Sequence, residues 1–188
     1  MICYSNRDIF RPGSKKCDDI ALAIGRHPPE PYGEEVAEFI FGLPINPLKT
    51  WGMFGSCTLM TRKETFNKVG FFDESFRRTA EWDFAIRSAF KGAYFVAVNK
   101  SLIKMYKTSG SDKSGKIPLI YSLKLREKYK NYLKKRGFYN ASKFIARANF
   151  YYNKKKKIIG LFFRIIALLI SPKLISDSLK RKILKILK

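Results

Sequence analysis

Nearly all of the net positive charge lies in the second half of the chain. Residues 1–100 hold 14 Lys and Arg against 12 Asp and Glu, whereas residues 101–188 hold 24 against 3. Like charge confined to one stretch repels itself and collects an anionic partner, so the chain reads as a charge-balanced domain joined to a basic region. With 46% hydrophobic residues over 188 positions there is enough apolar side chain for a core, which excludes a disordered chain.

Cys3, Cys17 and Cys57 are odd in number and far apart, and the only histidine is His27. Neither a disulfide framework nor a structural zinc site is expected from that set, nor any site built on several histidines. The absence of a signal-peptide pattern makes a reducing cytoplasm the default compartment. A β-prone run, "ICYS", follows Met1 directly, and this start is read as the back part of something longer.

Along the chain, "MICYSNRDIF" predicts a short strand and then a loop. "GRHPPEPYG" (Gly25 to Gly33) is a Pro/Gly loop, and Glu34 to Phe41 predicts a helix with acidic residues in its first turn. Cys57 to Met60 is β-prone, Thr61 is placed to cap a short helix over "RKETFNKV", and Gly70 is placed to end it. A helix is expected from about Glu81 to Phe90, and then two β-prone runs, "AYFVAV" and "SLIKMY". From Ile117 onward the pattern is helical, punctuated at Gly137, Lys154 to Lys157 and Pro172.

The densest chemistry is in "FFDESFRRTAEWDFAIR", Phe71 to Arg87. On a helix, Asp83 and Arg87 lie four apart and can pair, which leaves Glu81 on the first turn near Arg77 and Arg78. A carboxylate there, beside aromatic surface, is placed for general-base work or for binding a substrate hydroxyl. Acidic residues in the first turn are also commonplace partners of the helix dipole, and the residues alone leave both readings standing. Trp51 and Trp82 suit either stacking on a ligand face or burial in the core.

The run "GSCTLMTRKETFNKVGFFDESFRRTAEWDFAIRSAFKGAYFVAV", Gly55 to Val98, resembles the second half of the catalytic domain of family 2 glycosyltransferases. Positions Arg62, Val69, Gly70, Phe72, Asp73, Glu74, Glu81, Asp83, Arg87 and Gly92 follow that family's pattern in order. The resemblance implies an α/β chain: an incomplete GT-A (Rossmann-like) half-domain with a mixed sheet over residues 1–115, the nucleotide-binding half missing, followed by an all-helical basic region over 116–188. It also implies an inverting transfer of sugar from a nucleotide-sugar donor to a glycan or lipid-linked acceptor, in surface polysaccharide or lipopolysaccharide biosynthesis.

In that family an Asp of a Glu-Asp pair deprotonates the acceptor hydroxyl. Glu81 stands in its place, with Ala80 where the preceding Glu would be, and the extra methylene shifts the carboxylate by about an ångström. Asp83 and Arg87 are then the structural support of the site. Trp82, Trp51, Gly55, Ser56, Arg78 and Lys107 are the expected substrate-binding residues, Lys107 because cations after the last strand can meet a diphosphate. A divalent cation, Mn or Mg, is expected for the family, but its Asp-x-Asp motif is absent from the sequence, and Asp18-Asp19 is a poor substitute. The chain is therefore expected to be inactive by itself.

In the basic region, Ile158 to Ile170 is too short to span a bilayer and is interrupted by Arg164. Leu174 or Ile175, Leu179, Ile183 and Leu187 form an apolar stripe on a helix whose other face is lysine. Residues 154–188 are expected to rest on an anionic membrane surface, which makes the protein cytoplasmic and peripheral to the inner face. A helical subdomain with solvated lysines is the plainer reading of the same residues. Two other functions compete. One is a noncatalytic remnant or a subunit completed by another chain. The other is a basic nucleic-acid binder, disfavoured because the apolar stripes suit lipid or protein better than bases.

Overall fold

The computed structural model describes residues 1–108 and 115–174. It is mixed α/β and divides into two compact units: Met1–Ala37 with Asn46–Lys113, and Glu38–Ile45 with Ser114–Lys188. The second unit thus takes a short segment, Glu38–Ile45, that composition assigned to the first.

The first unit is built on strand β1 (Ile2–Phe10). One edge of β1 is shared by two short antiparallel partners, β2 (Asp19–Ala21) opposite Arg7 to Ile9 and β3 (Met60–Thr61) opposite Ile2 and Cys3. The other edge pairs in parallel with β4 (Phe95–Tyr106) from Ile2 through Phe10, so the sheet is mixed. The run expected to be a short strand and then a loop is strand as far as Phe10. Its polar residues break the apolar pattern, but the pairing with β4 runs the whole length from Ile2 to Phe10 and carries the strand through them.

The two β-prone runs "AYFVAV" and "SLIKMY" form one strand. Register shifts at Ser5/Asn6 and Asn6/Arg7 absorb the extra residues of β4 around Asn99, Lys100 and Leu102. Asn6 is used at that irregularity: its Nδ2 donates to Asn99 Oδ1 at 3.1 Å, and its Oδ1 accepts from the Ala23 amide at 2.9 Å. Asn99 in turn lies 3.1 Å from His27 Nε2, which ties the Pro/Gly loop to β4. Gly25 has φ +75° and its own carbonyl accepts from Ala97. A Cβ there would stand 2.0 Å from the Phe95 carbonyl oxygen, so only glycine lets the loop approach the strand so closely.

Helix α1 (Glu34–Phe41) starts at its acidic turn as expected. The β-prone run at Cys57 to Met60 is instead a 3-10 turn at Ser56–Thr58, leaving only Met60–Thr61 as strand. Helix α2 (Lys63–Val69) begins after Arg62 rather than under a threonine cap. Thr61 spends its hydroxyl on Thr65 Oγ1 at 2.8 Å and the Met1 carbonyl at 3.1 Å. Gly70, at φ +90°, ends α2 by donating its amide to the Phe66 carbonyl.

The turn after Gly70 is packed by rings. Phe66 stacks on Phe71 at 5.6 Å and on Phe84 at 5.0 Å, and Phe72 meets Phe84 at 5.1 Å. Phe84 belongs to helix α3 (Ala80–Phe90), which also buries Asp83, Ala85, Ile86, Ser88 and Ala89. Arg87 ties the two helices together. Its Nε donates to Asp83 at 2.8 Å, and its Nη atoms donate to the carbonyls of Val69 at 2.6 Å, Gly70 at 3.2 Å and Phe71 at 2.7 Å. One guanidinium therefore neutralises a buried carboxylate and caps the negative end of α2.

The second unit contains α4 (Ile117–Lys128), α5 (Lys130–Lys135), α6 (Tyr139–Asn153) and α7 (Lys157–Ile170), then a 3-10 turn at Pro172–Leu174. Arg126 is its polar centre. The buried guanidinium donates to the carbonyls of Ser142 at 2.7 Å, Ser122 at 2.9 Å and Phe41 at 3.1 Å and to Ser122 Oγ at 2.8 Å. Burial pulls its pKa down to about 9, still above neutrality, so the group keeps its charge. Glu38 pairs with Arg136 in the same unit.

Helices α6 and α7 meet closely because Gly160 has no side chain: a Cβ there would stand 2.8 Å from the Tyr152 ring. Tyr151 stacks on Phe163 at 5.4 Å alongside. Among the described residues no helix is long and apolar enough to cross a membrane. The stripe expected at Leu174 or Ile175, Leu179, Ile183 and Leu187 lies outside the described residues beyond Leu174.

Candidate functional site

Glu81 occupies the first turn of α3, and the turn is made in an unusual way. Thr79, just before the helix, adopts φ +65°, a left-handed conformation that a β-branched residue enters only at a cost. In return its carbonyl accepts from the amides of Trp82 and Asp83, both at 3.0 Å, and its hydroxyl bonds the Arg78 carbonyl. Backbone strain of this kind commonly accompanies functional sites.

Burial pushes the Glu81 carboxyl above the ordinary carboxylate range. Its own backbone amide, then Arg78 and then Arg7, pull in the other direction without cancelling the effect. The neighbouring phenol of Tyr4, on β1, is driven up as well, first by burial and then by the charge of Glu81. Tyr4 is wedged edge-on against Phe54, which meets Phe95 in the same way. The carboxylate therefore lies close enough to the Tyr4 phenol and to two guanidinium groups for each to feel its charge.

Arg7 lies over Gly55: a Cβ at that glycine would stand 2.6 Å from Arg7 Nη1. The same Nη1 donates to the Cys57 thiol at 3.2 Å, and among the described residues the buried Nε of Arg7 has no acceptor. Tyr4 and Arg7 were missed in the sequence. The signal available was an arginine and a tyrosine within a β-prone run at the start of the chain.

The structure brings Glu81, Arg78 and Gly55 into one neighbourhood with Tyr4 and Arg7. Ser56 is exposed at the start of the 3-10 turn that follows Gly55, and Trp82 is half-buried next to Glu81. Asp83 and Arg87 serve the α2–α3 junction described above. Trp51 is half-buried, with its ring N–H donated to the Asn46 carbonyl at 2.8 Å, so its edge is committed to holding its own loop. Lys107 is not part of this neighbourhood. It follows the end of β4, its amide bonded to the Phe10 carbonyl, and six strand residues at about 3.3 Å each place it about 20 Å along the sheet from Tyr4.

Among the described residues no three of His, Cys, Asp and Glu come together. Asp18 accepts from the Arg11 amide at 2.7 Å, and Asp19 accepts from the Ile20 amide at 2.9 Å. Against family models, curated proteins and solved structures, the chain gives no match.

Proposed function

We propose that the chain carries the acceptor-side part of an inverting glycosyltransferase of the GT-A, family 2 type. It would pass a sugar from a nucleotide-sugar donor to a glycan or lipid-linked acceptor, at the cytoplasmic face of the cell membrane, in the assembly of a surface polysaccharide or lipopolysaccharide. The observation that carries this reading is Glu81. A carboxylate is held at the start of a helix by a strained turn, its proton affinity raised by burial. Such a group suits general-base catalysis, where a raised pKa strengthens the pull on the departing proton.

In the proposed reaction an acceptor hydroxyl attacks the anomeric carbon, its proton passes to the Glu81 carboxylate, and the nucleoside diphosphate leaves with the bonding electrons. Attack opposite the leaving group inverts the anomeric centre. Trp82, next to Glu81, supplies an aromatic surface for the acceptor ring. With no Asp-x-Asp in the sequence, the donor diphosphate would be held by residues beyond those present here, as in a subunit completed by another chain.

Acceptor binding is then separable from transfer. Saturation-transfer NMR with a panel of mono- and disaccharides should detect binding that Trp82→Ala weakens and Glu81→Gln preserves. The chain alone should release no nucleoside diphosphate from nucleotide sugars. When a donor-binding partner is supplied, Glu81→Gln should lower that release by about 10²–10⁴-fold. Transfer that survives Glu81→Gln would remove the base from the mechanism, and strong transfer by the chain alone would remove the need for a partner.

A further inference from the structure

Helix α7, Lys157–Ile170, is apolar on two opposite faces. At about 100° per residue, Gly160, Phe163 and Ala167 point one way, and this side packs on α6 through Tyr151 and Tyr152. Ile158, Leu161, Phe162, Ile165 and Leu169 point the other way, exposed by 86%, 53%, 59%, 47% and 76%. A helix on the surface of a globular unit normally turns polar residues outward, and this one turns out branched and aromatic residues over its full length.

Charge selects the occupant. Lys154 to Lys157, all exposed, lead into this helix, and Lys155 to Lys157 with Ile158 and Ile159 line a notch of about 370 Å³ where cations and apolar side chains meet. From Lys128 to Ser176 the sequence contains no Asp or Glu. A second copy of the chain would bring the same positive surface against itself. A nucleic acid would satisfy the lysines and leave the apolar row in water. We propose that the outward face of α7, headed by Lys154 to Lys157, is a docking surface for an anionic lipid bilayer, with the helix lying in the headgroup layer. Fourteen residues at 1.5 Å span about 21 Å, less than the hydrocarbon core of about 30 Å, so the helix lies along the surface and does not cross it.

The test is co-sedimentation of the whole chain with vesicles of phosphatidylcholine alone and of phosphatidylcholine with about one third phosphatidylglycerol. Binding should favour the anionic vesicles at least about tenfold. The combined substitution Leu161→Ser, Phe162→Ser and Ile165→Ser, made at exposed positions and checked for unchanged ellipticity, should weaken binding by at least about tenfold at low and at high salt. Changing Lys154 to Lys157 into Gln should remove mainly the salt-sensitive part. Phe162→Trp should shift its emission to shorter wavelength on the anionic vesicles. The proposal is overturned by a triple variant that binds like the parent, or by a parent that prefers a DNA duplex to anionic vesicles. It is equally overturned by a parent that dimerises through this face and ignores vesicles.

Discussion

Removing Arg87 tests the α2–α3 junction on which the position of Glu81 depends. Arg87→Ala strips a fully buried Asp83 of the guanidinium 2.8 Å away, and breaking a buried ion pair in this way typically costs about 3–5 kcal/mol. The Arg87 side chain itself is 22% exposed, so water can partly replace it and the lower end, about 3 kcal/mol, is the better figure. The carbonyls of Val69, Gly70 and Phe71 also lose their donor. They sit in an open turn and can rehydrate, which adds about 0.5 kcal/mol in total. Arg87→Lys keeps a charge opposite Asp83 but cannot serve three carbonyls at once, and should lose about half as much. Trp51 and Trp82, the only tryptophans, both belong to the first unit, so their fluorescence during urea unfolding reports this unit alone. A double-mutant cycle with Asp83→Asn should give a coupling energy of about 1.5–3 kcal/mol. A loss below about 1 kcal/mol for Arg87→Ala, or a coupling near zero, would refute the clamp.

Because burial raises the folded-state pKa of Glu81 above its unfolded value, its stabilising contribution is present at low pH and fades as pH rises through the folded value. Glu81→Gln should therefore be the more stable protein at neutral pH, with the advantage shrinking as pH falls, in thermal melts across pH. In the second unit, Arg126→Met should cost about 2–3 kcal/mol by far-UV ellipticity in urea, because the carbonyls of Phe41, Ser122 and Ser142 lose their shared donor. Thr79→Gly should raise stability by about 1 kcal/mol in the same fluorescence assay, since glycine enters φ +65° without strain.

Local signals in the sequence located the helices well. Acidic first turns at Glu34 and Glu81 and the stop signals at Gly70 and Gly92 match the ends of α1, α2 and α3 to within a residue or two. The strands were less legible because a strand's neighbours are distant in sequence. Asn6 and Arg7 look like a break until β4 is seen pairing alongside, and the extra residues of β4 look like a loop until they are seen as register shifts. The site divides in the same way. Glu81, Asp83 and Arg87 lie within one helix and their spacing shows their relation, whereas Arg7 reaches Glu81 and Gly55 only through the sheet. Lys107 was drawn toward the site by its charge, and the run of β4 carries it away.

The clamp at Arg87 also constrains what can be changed around it. A Cβ on Gly70 would stand 3.2 Å from Arg87 Nη1, and at φ +90° the backbone there already disfavours any other residue. A side chain at 70 would also press on the guanidinium that holds the Val69 and Phe71 carbonyls and Asp83, displacing it by a few tenths of an ångström. The three positions 70, 83 and 87 are thus tied together: a descendant that gives up the arginine leaves the buried Asp83 without this cation, while the backbone at 70 goes on demanding glycine whether the arginine stays or not.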